Sequence, residues 1–116
     1  MKYLLILQAD RQALDDLTEA ERASVRLGHD EFRRTAEEAG ELVGTQALAD
    51  PTTSTVISTD GIRPGPFHAT SIGGYYLVDV ESKARAIELA DLLPDTRIDG
   101  LAVEIRPVML AAGADY

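Results

Sequence analysis

Two short segments of the chain are apolar on both of their faces, and this feature restricts the fold more than any other. They cover residues 3–7 and residues 74–80. Each run is too short to be read as a helix on its own and fits a strand that is buried on both faces. A helical pattern follows each run. The sequence therefore predicts two central strands, each leading into a helix.

The first helix is predicted over residues 18–39. Thr18 with Glu21 three positions later has the form of a capping box, and Gly40 is a suitable residue to follow the end of the helix. At 100° per residue, one stripe of this helix is apolar except for a single histidine. The stripe consists of Val25, His29, Phe32, Ala36 and Ala39.

The remaining elements are shorter, and residues 10–16 are expected to form a loop. Residues 42–43 and 53–58 are predicted to form one edge strand, interrupted at 49–51, and Asp60-Gly61 is a hairpin signal. Ser82 is a plausible cap for a second helix, which Pro94 ends. Residues 101–107 alternate between apolar and polar and form the last strand.

The element order is β-α-β-β-α-β, which is typical of a ferredoxin-like α+β fold. This fold has a four-stranded antiparallel sheet with two helices on one face. The first and third strands are central, as their apolar character requires. Since both faces of these strands are apolar, we expect a second copy of the chain to cover the open face, giving a homodimer in which sheet packs on sheet. We predict one domain over residues 1–110 and a flexible tail over residues 111–116.

Charge and composition exclude several classes of function. The 116 residues contain 11 Lys and Arg against 20 Asp and Glu, a formal net charge of -9. This acidity argues against binding to nucleic acid or to an anionic membrane. The chain has no cysteine and two histidines, so we expect no metal site, and it has no phosphate-binding loop, so we expect no cofactor. The apolar start is too short for a signal peptide, which predicts a cytoplasmic protein.

His29 is the first candidate for chemistry. Its place on the sheet-facing stripe means that the imidazole either lines a pocket or is a core histidine with its hydrogen bonds satisfied. Histidine is the natural general acid or base near neutral pH, and a carboxylate would be needed to orient it. Asp60 is a candidate for that carboxylate.

The segment 60–68 is the second candidate. Besides Asp60 it holds Arg63, Phe67 and His68 on a stretch rich in turns, and loops on a rigid scaffold often carry function. The alternative is a hairpin whose glycines and prolines serve the backbone only. Tyr75 and Arg106 are further candidates for binding a substrate. Arg106 shares a strand face with Glu104, so it either forms an ion pair there or holds an anionic group.

The chain resembles the YCII-related family, and more narrowly the branch named for its DGPF motif. The resemblance rests on residues 1–7, 64–67, 73–80 and 103–108, together with the helix histidine. It implies a dimeric ferredoxin-like α+β barrel with an active site built from a helix His, here His29, and an Asp near the dimer interface. Pro64 stands where the motif has Asp. Some relatives act on small ring compounds, and some branch members occur beside extracytoplasmic-function sigma factors.

Two functions follow as hypotheses. The first is a cofactor-independent enzyme of the lyase or isomerase type. In it His29 would transfer protons on a small cyclic or carbonyl-bearing substrate, with Asp60 or another carboxylate orienting the ring. The second is a non-catalytic dimer that binds a small ligand or a protein such as a sigma factor, since an acidic surface suits a basic partner.

Overall fold

The computed structural model describes residues 1–109, and the predicted tail at 111–116 lies outside them. The strands are β1 (Lys2–Asp10), β2 (Leu42–Ala47), β3 (Thr55–Ser58), β4 (Gly61–Pro64), β5 (Thr70–Asp79) and β6 (Leu101–Pro107). The helices are α1 (Arg11–Asp15), α2 (Glu19–Glu38) and α3 (Lys83–Ala90), and two 3₁₀ turns cover Pro51–Thr53 and Pro94–Arg97.

Four strands form one antiparallel sheet in the order β2-β5-β1-β6. The two apolar runs lie in β1 and β5, so the prediction that they occupy the centre of the sheet is confirmed. The α+β fold with a four-stranded antiparallel sheet is confirmed as well. The register places Leu5 opposite Tyr76 between β1 and β5, and opposite Ile105 between β1 and β6. These three side chains face the helices.

The long helix begins as its sequence predicts. The Thr18 hydroxyl accepts from the Glu21 backbone N–H, and the Glu21 carboxylate accepts from the Thr18 N–H. Ser82 caps α3 by accepting from the backbone N–H of Arg85. Both helices pack on one face of the sheet and enclose the core. Its buried members are Tyr3, Leu5, Phe32, Ala36, Tyr76, Val78, Val80, Ala86, Leu89, Ala90 and Leu93.

Two local predictions are wrong. The segment predicted as a continuation of the second strand belongs to a separate hairpin, in which β3 pairs with β4. The interruption at 49–51 is a true break, because Asp50 caps a 3₁₀ turn there and the chain leaves the sheet. Residues 11–15, expected to be loop, form α1 because Asp10 accepts from the Ala13 N–H and caps a helical turn.

Within residues 1–109, no helix packs on the second face of the sheet. Successive side chains of a strand point to opposite faces, so this face presents the residues that alternate with the core positions. Its centre is apolar and comprises Leu4, Ile6, Tyr75 and Leu77, paired as Leu4 with Leu77 and Ile6 with Tyr75. Leu4, Tyr75 and Leu77 are each partly exposed.

Within residues 1–109, none of the helices is long and apolar enough to cross a membrane.

Candidate acid–base site

His29 lies on the sheet-facing side of α2, where the apolar stripe predicts it. Its side chain is 15% exposed, so the ring is mostly buried yet still reaches a surface cavity. Phe32, one turn further along the helix, is fully buried and packs on the Tyr76 ring with the centroids 4.3 Å apart. The helix stripe and the central strand β5 therefore hold the imidazole against the sheet.

Gly28 brings a second element to the histidine. This residue is buried in the middle of α2, and the Pro94 ring occupies the place where its side chain would be. A Cβ atom on residue 28 would lie 2.1 Å from the Pro94 Cδ atom, well inside van der Waals contact. The absent side chain thus allows the Pro94–Arg97 turn to approach the helix, and Asp95 of that turn reaches His29.

Both ring nitrogens of His29 have partners. Nε2 lies 2.8 Å from the Asp95 Oδ1 atom, and Nδ1 lies 2.7 Å from the Tyr76 hydroxyl. Because a carboxylate only accepts hydrogen bonds, Nε2 must carry the proton. In the neutral ring Nδ1 then accepts from the Tyr76 O–H, whereas in the charged ring it donates to the same oxygen. The arrangement accommodates both protonation states of His29 by turning one hydroxyl.

Asp95 is a buried carboxylate, with a relative exposure of 7%. A buried charge is costly unless it is paired and hydrogen-bonded, and His29 is the partner that satisfies it. The carboxylate also fixes the orientation of the ring and favours the imidazolium once it forms. This is the role that a general acid–base histidine needs from a neighbouring acid.

Tyr76 connects the histidine to an arginine. The Arg33 Nη1 atom lies 3.4 Å from the phenol oxygen, and Arg33 also forms an ion pair with Asp30. Burial raises the pKa of the Tyr76 phenol above its usual value, and the positive charge of Arg33 opposes this rise. Tyr76 is therefore neutral at physiological pH and has its proton available for a hydrogen bond.

Three cavities meet at His29. One of about 320 Å³ extends from the Tyr76 side and is bounded by Arg33, Thr45 and Gly73 among others. A smaller one of about 170 Å³ reaches Asp95 and is mainly apolar, and an open groove of about 460 Å³ runs along α2. A substrate bound at this junction can contact the histidine and its hydrogen-bond partners.

A wider groove of about 570 Å³ lies elsewhere on the chain. It is bounded by both ends of α1 and by the segment 97–100, and contains acidic side chains but no histidine. Among residues 1–109, no three His, Asp or Glu side chains are close enough together to hold a metal ion. Both histidines of the chain lie away from this groove, because His29 borders the three cavities described above and His68 lies in the segment after β4.

Asp60 does not lie beside His29 in this chain, which corrects the prediction that it orients the ring. It occupies the turn between β3 and β4, is exposed, and donates its backbone N–H to the Ser58 hydroxyl. Both nitrogens of the imidazole are already bonded to Asp95 and Tyr76, so no position is left on the ring for Asp60. The orienting carboxylate is Asp95.

Three other predicted residues lie together, away from the histidine. The Arg63 guanidinium sits 5.8 Å from the centre of the Phe67 ring, and the Phe67 and His68 rings are 4.5 Å apart. Phe67 and His68 border a separate cavity of about 260 Å³. The three side chains thus lie next to one another, but they do not meet His29 within one chain.

Tyr75 and Arg106 lie on the open face of the sheet, opposite to the helices. Tyr75 is opposite Ile6 in the register, and Arg106 forms an ion pair with Glu104, which also accepts from the Gln8 amide at 2.6 Å. The histidine cavities open on the other side of the sheet. Within one chain these two residues and His29 thus cannot contact the same small molecule.

Asp95 and Tyr76 are the site residues that the sequence reasoning missed. The sequence pattern indicates Pro94 only as the end of the second helix and Tyr76 only as part of a strand, and it gives no role to Asp95. One signal was present: a glycine in the middle of a strong helix, directly before the histidine. An isolated helical glycine often marks a close contact with another element, and here that element carries Asp95.

The fold and the site together define a class of protein, a ferredoxin-like α+β domain with a histidine–aspartate pair between sheet and helices. The model of the YCII-related domain matches residues 1–110, and the chain belongs to this family. No curated protein matches the chain significantly.

Proposed function

We propose that the chain is a small cofactor-independent enzyme in which His29, oriented by Asp95, transfers protons on a small cyclic or carbonyl-bearing substrate. The observation that carries the proposal is the hydrogen-bonded series Asp95–His29–Tyr76 at the meeting point of three cavities. An imidazole held by a buried carboxylate on one nitrogen, with an exchangeable O–H on the other, is arranged to take up and return a proton.

The proton path follows from the donors and acceptors. A substrate C–H next to a carbonyl gives its proton to the Tyr76 oxygen as the phenol proton moves to Nδ1 of His29, and Asp95 stabilises the imidazolium. The electrons of the broken C–H bond form an enolate. Return of the proton at another carbon completes an isomerisation, and departure of a leaving group completes an elimination. Arg33, beside the phenol, stabilises negative charge as it develops.

The proposal is tested by proton exchange in D₂O. Proton NMR follows the loss of the α-hydrogen signals of cyclopentanone, cyclohexane-1,2-dione and an unsaturated γ-lactone. We expect the chain to exchange at least one of them faster than buffer does, and the His29→Gln variant to lose about 100-fold of that rate. His68→Gln is the matched control and should retain the rate. Equal rates for His29→Gln and the unmodified chain would contradict the proposal.

We also propose a homodimer that is formed through the open faces of two sheets. Leu4, Tyr75 and Leu77 are partly exposed at the centre of this face, and both long helices lie on the other side. Sheets of this kind bury an apolar face against another layer. Light scattering at micromolar concentration should give twice the mass of one chain, and Leu77→Glu should give a single chain. An unmodified chain that stays monomeric would refute the dimer.

The sequence Pro64-Gly65-Pro66-Phe67 supports assignment to the DGPF-motif branch, with proline at the first position.

One observation favours a second function, a non-catalytic ligand-binding or regulatory module. Both nitrogens of His29 are already bonded within the chain, so a purely structural role satisfies its chemistry. The net charge of -9 would suit a basic protein partner, a sigma factor being one candidate. The exchange experiment decides between the two functions.

A further inference from the structure

Three arginines follow one side of α2 beside the histidine. Arg22, Arg26 and Arg33 are spaced with His29 at intervals of three and four residues, which places the four side chains on one helix face. All four border the groove of about 460 Å³. The chain has 11 Lys and Arg residues and a net charge of -9. Three arginines along one groove therefore give this part of the surface a positive charge that is opposite to the charge of the chain as a whole.

Among the described residues, no acidic side chain lines the groove beside these arginines. Its lining within residues 1–109 consists of three arginines, the histidine and three apolar side chains. Arg22 donates to the Leu14 carbonyl oxygen at 2.8 Å, and Arg33 is paired with Asp30 on the outer surface of the helix. Arg26 makes no hydrogen bond or ion pair with any side chain of the described chain. The groove is therefore positive and has a guanidinium available.

The floor of the same groove is apolar. Leu14, Leu17 and Val25 border both the groove and the smaller cavity of about 170 Å³, which Leu7 and Leu101 help to close. A molecule that fills both spaces meets hydrocarbon at one end and guanidinium groups at the other, with His29 between them. Pockets with this division bury an apolar body and use a few polar groups to fix its orientation.

On the premise that His29 is the centre of the proposed function, we propose that its ligand is a small amphipathic carboxylate. The apolar body lies against Leu14, Leu17 and Val25, and the carboxylate binds Arg26 and Arg33. Arginine binds carboxylates through charge-assisted hydrogen bonds, which are stronger than bonds between neutral groups. The proposal thus names the ionic class of the substrate, which the histidine alone does not define.

The test compares probes that differ in one property. Binding of cyclohexanecarboxylate, cyclohexanecarboxamide and acetate to the full chain is measured by calorimetry and by the NMR shifts of the His29 ring. We expect the carboxylate to bind about tenfold more tightly than the amide of the same shape. We also expect acetate, which lacks the apolar body, to bind more weakly than cyclohexanecarboxylate. Equal affinity for the carboxylate and the amide, or no binding of any probe, would overturn the proposal.

Arg26→Gln tests where the charge is recognised. Arg26 is exposed, so the variant should fold, and its preference for carboxylate over amide should fall from about tenfold to about twofold. Arg34→Gln is the matched control, because Arg34 is an exposed arginine of the same helix that does not border the groove. It should keep the full preference. An unchanged preference in Arg26→Gln would overturn the assignment.

The outcomes separate this proposal from the proposed function. If the chain prefers the carboxylate but does not catalyse proton exchange, the ligand class is supported and the proposed enzymatic function is ruled out. If the chain catalyses exchange but binds carboxylate and amide equally, the proposed enzymatic function is supported and the ligand class is ruled out.

Discussion

Replacement of Gly28 by alanine tests the contact that assembles the site. The new Cβ would lie 2.1 Å from the Pro94 Cδ atom, and ordinary van der Waals contact begins at 3.4 Å, so the two groups must separate by at least 1.3 Å. The proline ring cannot give way by a simple change of rotamer. The Pro94–Arg97 turn must therefore move, and Asp95 moves with it. A hydrogen bond of 2.8 Å between Asp95 and His29 does not survive such a shift.

The free-energy balance gives this prediction a definite sign. Overpacking costs about 1–3 kcal/mol, and loss of a buried hydrogen bond to a charged group costs about 1.5–3 kcal/mol. Alanine returns about 1 kcal/mol because it is a better helix former than glycine. The net loss in the free energy of unfolding should be about 1.5–5 kcal/mol. Helix propensity alone would make the variant more stable.

Urea denaturation followed by circular dichroism measures the effect, with both proteins fitted for midpoint and slope. Gly44→Ala is the matched control, since a Cβ at Gly44 meets nothing within 4 Å, and it should change the unfolding free energy by less than about 0.5 kcal/mol. If Gly28→Ala is as stable as the unmodified chain, or more stable, the close approach of Pro94 to the helix is refuted.

Three further predictions concern the helix start, an ion pair and the buried tyrosine. Thr18→Ala removes the capping hydroxyl and should cost about 1 kcal/mol in urea denaturation, whereas no change would contradict the capping box. Glu41→Gln breaks the mostly buried ion pair with Arg85, which donates to the Glu41 carboxylate through Nε and Nη2. This variant should lose about 1 kcal/mol in the free energy of unfolding. Glu88 is 71% exposed, so Glu88→Gln should cost clearly less, and equal losses would contradict this ranking. Burial raises the pKa of Tyr76 in the folded chain. The contribution of its neutral phenol to the free energy of unfolding is therefore complete below the usual pKa of 10.0 and is lost as the pH rises through the raised pKa. Above pH 10 the urea midpoint should therefore fall less steeply in Tyr76→Phe, and parallel pH profiles would refute this assignment.

Local patterns were sufficient for most of the fold. The apolar character of residues 3–7 and 74–80 requires burial on both faces, and this predicts that both runs lie at the centre of the sheet. Thr18 with Glu21 marked the start of α2, and Ser82 marked that of α3. These signals operate over a few residues, and each agrees with the others on a single topology, which is why they could be read without the structure.

The second strand shows where local patterns were insufficient. Residues 53–58 have strand character and do form a strand, but β3 pairs with β4 and not with β5. The pattern of a half-polar strand does not identify its neighbour. The break at Asp50 and the turn at Asp60 were both visible, and together they isolate the hairpin from the sheet.

The site depended on contacts between distant parts of the chain. The sequence predicts Asp60 as the orienting carboxylate, whereas the carboxylate that contacts the histidine is Asp95, 66 positions from His29 along the chain. The packing of Gly28 on Pro94 brings the two residues together. The periodicity of α2 placed His29 on the inner face, but it gave no information about which side chain would meet the ring.

The nitrogen NMR spectrum of the His29 ring tests the central claim most directly. With only two histidines in the chain, a His68→Gln variant assigns the signals. The structure predicts that Nε2 carries a proton and donates it to Asp95, and that in the neutral ring Nδ1 accepts from the Tyr76 hydroxyl. Asp95→Asn should change the Nε2 signal and leave the fold intact. A neutral ring that carries its proton on Nδ1, or an Nε2 signal that does not respond to Asp95→Asn, would contradict the account.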